Sequence, residues 1–104
     1  MDQKLTMTRG DTATIGMKIE DLNQDLDTAF FTVRAGFDSG ISFQKSLSDG
    51  ITKIETGVYL VRIAPDDTKE MDAGEYYYDL EIGVNGDVFT VLRGIIVIEH
   101  DVTY

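Results

Sequence analysis

Residues 75–82, EYYYDLEI, alternate between two chemistries. Tyr76, Tyr78, Leu80 and Ile82 fall on one side of an extended chain, and Tyr77, Asp79 and Glu81 on the other. A helix would scatter these side chains around its circumference, whereas a strand, with a period of two, sorts them into an apolar and a polar face. The segment is therefore a half-buried antiparallel strand, and its apolar face demands a second layer to cover it. The same alternation recurs at 12–20, where Ala13, Ile15, Met17 and Ile19 share a side. At 29–37 the inward set is Phe31, Val33, Ala35 and Phe37, which leaves Phe30 and Arg34 pointing outward.

Turn signals punctuate these runs at short, regular intervals. Arg9-Gly10-Asp11 stops a first strand at 4–8, and the polar loop 21–28 follows the second. Asp38-Ser39-Gly40 predicts a tight hairpin with Gly40 left-handed, leading into a strand at 41–47. Ser48-Asp49-Gly50 turns again before a brief strand at 51–54, and a further strand covers 57–64. Pro65 cannot continue a ladder, so 65–71 is read as one helical turn capped by Asp66 or Asp67, with Met71 dropping inward. Asn85-Gly86 is a strong hairpin signal after 75–84. Residues 87–93 then pair back, Gly94 marks a bulge or kink, and 95–99 forms the last strand. Eight or nine short strands with no long helix give an all-β sandwich or barrel of antiparallel strands, a single domain over residues 1–104.

The chain carries 9 Lys and Arg against 19 Asp and Glu, a formal charge of −10, which repels phosphate backbones and anionic membranes. Nucleic acid and membrane are therefore not expected as partners. The opening MDQKLTMTRGDT has no apolar segment, so synthesis without a signal peptide is expected. The absence of Cys removes disulfides, thiolate metal sites and cysteine nucleophiles together.

Catalytic constellations are equally thin. The one histidine, His100, stands in the terminal tail, a poor place for a general base. Adjacent Asp66 and Asp67, near Lys69, are more simply a solvated capping turn than an acid–base pair. Asp21, Asn23, Asp25 and Asp27 begin like a calcium loop. Leu26 then stands where such a loop needs Gly, and Thr32 where it needs a bidentate Glu. Alternation sends two tyrosines of the 76–78 run inward and leaves only Tyr77 outside, so no sugar-stacking platform forms. Arg9-Gly10-Asp11, although an integrin-binding tripeptide elsewhere, is explained by a turn. No enzyme, cofactor or metal site is expected.

Asp72-Ala73-Gly74-Glu75-Tyr76 resembles the tyrosine corner of immunoglobulin-like sandwiches, in which a Tyr hydroxyl bonds back to backbone just upstream. Asp72, Gly74 and Tyr76 are thus expected to form a structural corner, with Tyr76 largely buried. A longer order of signals carries a second resemblance. Gly10-Asp11-Thr12 is followed by Asp25-Leu26-Asp27-Thr28-Ala29, Phe31-Thr32-Val33-Arg34, Ser48-Asp49-Gly50-Ile51 and Thr56-Gly57-Val58-Tyr59. Ala64-Pro65-Asp66-Asp67-Thr68 and Gly74-Glu75-Tyr76-Tyr77-Tyr78-Asp79-Leu80-Glu81 complete it. From about residue 8 to residue 102 the chain resembles the immunoglobulin-like modules of tailed-phage structural proteins, in particular the N-terminal domain of baseplate upper proteins. The resemblance implies a non-catalytic assembly module of a phage or prophage tail, located in the virion and contacting other tail proteins or copies of itself. It departs from antibody domains in lacking their Cys pair and core Trp. Two other classes compete: a surface-adhesion or carbohydrate-binding module, and an acidic cytoplasmic inhibitor whose acids would gather on one surface.

Ile95-Ile96-Val97-Ile98 breaks the alternation by offering β-branched residues to both faces. Either Ile95 with Val97 or Ile96 with Ile98 has to point away from the core. Together with Phe30, these four residues are the candidate interface, expected as a contiguous apolar patch.

Overall fold

The computed structural model describes residues 2–36 and 38–101. Among them run eight strands and one helical turn: β1 (Asp2–Thr8), β2 (Ala13–Lys18), β3 (Thr28–Arg34), β4 (Ile41–Leu47), β5 (Gly50–Glu55), β6 (Val58–Ile63), α1 (Pro65–Thr68), β7 (Gly74–Val84) and β8 (Asp87–Glu99). The hydrogen-bonded order is β1-β8-β7-β3-β4-β5-β6-β2. Only two residue pairs, Ser46 with Gly50 and Leu47 with Ile51, join β4 to β5. At that narrow joint the sheet folds over into a five-stranded layer, β1-β8-β7-β3-β4, and a three-stranded layer, β5-β6-β2.

The alternating residues of both layers meet between them. Phe31, Val33, Leu80, Ile82, Ile96 and Ile98 from one layer, and Met17, Ile51, Tyr59, Val61 and Ile63 from the other, form one buried cluster. The Phe31 and Tyr78 rings pack with centroids 5.4 Å apart, tilted by 30°. The Asn85-Gly86 turn has left-handed φ of 55° and 84°, the geometry whose twist matches a two-residue hairpin. In α1, Asp67 accepts the Ala64 amide at 2.7 Å, which ties the entry of the turn to its third residue. Met71 packs half-buried against the core.

Several local expectations need correction. Gly40 does not adopt a left-handed conformation; Ser48 (φ 67°) and Gly50 (φ 102°) carry that geometry at the next turn. The β3–β4 connection spans residues 35–40 rather than a tight hairpin, because a bulge at Val33/Arg34 ends the regular pairing early. Ala35 is consequently exposed past the strand end, and Phe37 lies outside the described residues. Residues 87–99 form one strand, and Gly94 pairs in register with Tyr78. The bulge sits at Val91, where Leu80 faces Leu92 while Glu81 faces Thr90. An extra residue there turns both Val91 and Leu92 toward the core.

Candidate docking site

The outer face of the five-stranded layer is a lattice whose rows run across the strands. Register places Lys4 beside Ile95, Ile95 beside Tyr77, and Tyr77 beside Arg34, so these four form one row. The next row holds Asp2, Arg93, Asp79, Thr32 and Gln44 by register, and the one beyond holds Thr90, Glu81, Phe30 and Ser46. On the other flank Glu75 stands beside Val97 and Thr6. A hollow of about 940 Å³ is lined by Lys4, Arg34, Tyr77, Arg93 and Ile95 among others, and Asp79 is the one acid among the described side chains that line it. Tyr77 is 38% exposed at its centre. Arg34 donates to Ser39 O at 3.2 Å.

The candidate interface residues divide between two environments. Ile96 and Ile98, each 1% exposed, are core residues and present no surface for docking. Ile95 and Val97 are half-buried on the outer face, flanked by β1. Phe30 is half-buried as well, and lines a smaller hollow with Gln44, Asp79 and Glu81. The Asp79 row separates Ile95 from Phe30, so the expected contiguous apolar patch is interrupted by charge. Alternation identified Arg34 as outward, but nothing in the sequence joins Lys4, Arg34 and Arg93, which meet only through the β1–β8–β7–β3 register.

The remaining sequence signals resolve into structural ties. Tyr76 donates its hydroxyl to Asp72 O at 2.7 Å, and Gly74, at φ 147°, opens β7 between them. Tyr76 is half-buried rather than largely buried, because it stands at the end of the core opposite Ile96. Burial and the nearby Asp72 carboxylate raise its pKa. Arg9 bonds Met71 O at 3.2 Å and pairs with Asp101 at 2.9 Å, while the Gly10 amide donates to the wholly buried Thr68 hydroxyl. The Arg-Gly-Asp tripeptide is thereby built into the β1–β2 turn. The Arg9 hydrogen bond also holds the Asp101 carboxyl below its usual pKa.

In the 19–27 loop, Leu26 is a core residue whose amide donates to the buried Tyr59 hydroxyl at 3.3 Å. Asp25 pairs with Lys53, and Asp27 accepts the Asn85 amide at 2.9 Å. Among the described residues, no group of three His, Asp or Glu side chains is placed to hold a metal ion. Lys45, which alternation alone does not single out, shares the inner face of β4 with Phe43 and reaches Asp67 at 2.7 Å. Acids of residues 66–72 and 20–27 stand at opposite ends of the sandwich, since β2 and β6 run antiparallel. Glu75, Asp79 and Glu81 lie on the sheet face, so the acids among the described residues are not collected on one surface.

No protein-family model matches the chain, and no curated protein does. Solved structures do. The chain is similar to the ZIG-8–RIG-5 IG1–IG1 heterodimer (monoclinic form), with a TM-score of 0.52 at 10% identity, covering 94% of this chain and 82% of that one. It also aligns with Tim-4 in complex with phosphatidylserine, with a TM-score of 0.45 at 9% identity, covering 95% of this chain and all of that one. The fold is an immunoglobulin-like β-sandwich. At such identity the likeness concerns the fold alone.

Proposed function

We propose that this chain is a non-catalytic docking module that works by protein–protein contact, in the tail or baseplate of a tailed phage or prophage. The observation that carries the docking reading is the hollow on the outer face of the five-stranded layer. It sets the half-exposed Tyr77 and Ile95 among Lys4, Arg34 and Arg93, and no helix or strand among the described residues packs over it. A sheet face that is wholly solvated needs neither the aromatic nor the branched residue there. The tail setting is supported by the order of turn and core signals from about residue 8 to residue 102, and it implies assembly into virions after synthesis in the bacterial cytoplasm.

Fractionating particles from the source culture on a density gradient, and probing each fraction for the chain, tests this function. Co-sedimentation with tail-shaped particles, lost on Tyr77→Ala, is the expected outcome. A chain found only in the unassembled fraction would overturn the tail setting.

A further inference from the structure

In a chain of net charge −10, the row Lys4–Ile95–Tyr77–Arg34 inverts the local sign. Cations stand at its two ends and apolar surface in its middle. Glu75 on one side of Tyr77 and Asp79 on the other confine the positive ground to that row. We propose that the row binds an extended acidic peptide segment of a partner protein, one with carboxylates at positions i and i+4 and an apolar residue at i+2. This assigns a ligand chemistry to the docking face and rests on the docking reading above.

The spacing follows from two lattices. Lys4 and Arg34 are three strand separations apart, roughly 14 Å. Residues i and i+4 of an extended chain point to the same side and are also roughly 14 Å apart, with i+2 midway between them. A peptide lying across the strands therefore seats one carboxylate at each cation and sets its central side chain on Tyr77 and Ile95. Arg34 offers a planar fork suited to bidentate pairing. A continuous polyanion is a poorer occupant. Its charges between the two ends would fall on Tyr77 and Ile95, with Glu75 and Asp79 to either side, and the −10 field would oppose its approach.

Titration of the ¹⁵N-labelled chain with a nine-residue peptide containing Glu-Thr-Val-Thr-Glu, flanked by Gly and Ser, tests the inference. Three comparators are required: the same composition with acids at i and i+3, the same peptide with Lys for Glu, and a heparin hexasaccharide. The expected result is amide shifts centred on Tyr77, Ile95, Arg34 and Lys4. Affinity should fall at least tenfold for the i+3 spacing, for the Lys peptide and for the exposed-site variant Lys4→Gln/Arg34→Gln, and should weaken with salt. Equal binding of both acid spacings, shifts on another surface, or no shifts at millimolar peptide would overturn it. Binding of the heparin hexasaccharide in place of the peptide would assign the row to a sulfated sugar and overturn it too. Failure here with Tyr77→Ala still abolishing co-sedimentation would sink only the acidic-peptide chemistry. Loss of both would sink the docking reading.

Discussion

Replacing Lys45 by Met removes a charge that the fold holds on its core side. Lys45 lies on the inner face of β4, opposite Phe31, and its side chain is 13% exposed. Its aliphatic stem packs over Gly50, and its ammonium meets Asp67, itself 18% exposed, at 2.7 Å. Met preserves most of the stem and its burial, so the loss is concentrated in the charge. Asp67 would keep the Ala64 amide as its remaining partner. Removing one member of a fully buried pair costs about 3–5 kcal/mol, because the other charge is stranded. Residual exposure and the retained amide bond lower that here to about 2–3 kcal/mol, or a fall in Tm of about 10–20 °C for a domain of this size. Denaturant unfolding of Lys45→Met, Asp67→Asn and the double variant measures it. The double variant strands no charge, so it should be more stable than the sum of the single losses implies, by at least about 1 kcal/mol. Strict additivity, or a cost for Lys45→Met below about 0.5 kcal/mol, would show that the pair behaves as an exposed one and refute the argument.

Tyr76→Phe should lose about 1 kcal/mol, a single hydrogen bond at the rim, while Tyr77→Phe stays near wild type by the same unfolding assay. Because the folded pKa of Tyr76 is raised above its ordinary value of 10.0, its contribution is complete below pH 10 and is lost as pH rises through the folded value; stability of Tyr76→Phe should therefore fall less steeply in alkaline melts. At the acid end the sign reverses for Asp101, whose pKa is lowered from 3.8. Its pairing with Arg9 is present above that pH and lost as pH falls through the lowered value, so the stability gap between wild type and Arg9→Gln should narrow in acid melts to what the Arg9 bond to Met71 O contributes. Tyr59→Phe leaves the buried Leu26 amide without an acceptor and should cost about 1–2 kcal/mol in urea titrations. Gly50→Ala should cost about 2 kcal/mol or more by thermal unfolding, since φ is 102° and the new Cβ would lie 2.6 Å from the Lys45 Cδ. A neutral result would mean that the turn relaxes freely.

Strand placement was legible in the sequence because a strand half-buried between layer and solvent writes its geometry as a period of two. Tyr78, Leu80 and Ile82 turned inward as their alternation requires, and Asn85-Gly86 took the left-handed pair of angles that its residues favour. The donor role of the Tyr76 hydroxyl is equally local, since its acceptor lies four residues upstream. Alternation could not resolve Ile95 to Ile98, where both faces are apolar. Which pair is buried depends on register with β7 and on β1 lying alongside, and tertiary pairing chose Ile96 and Ile98. The bulge at Val91 was similarly hidden, because an extra residue shows only against its partner strand. Lys45 reads as an ordinary strand cation until α1, twenty residues later, brings Asp67 to it. The candidate site is the clearest case. Lys4, Arg34 and Arg93 come from three strands distant in sequence, and only the order β1-β8-β7-β3 sets them within one hollow. Local chemistry determines which residues face outward, whereas the pairing of strands determines which of those residues become neighbours.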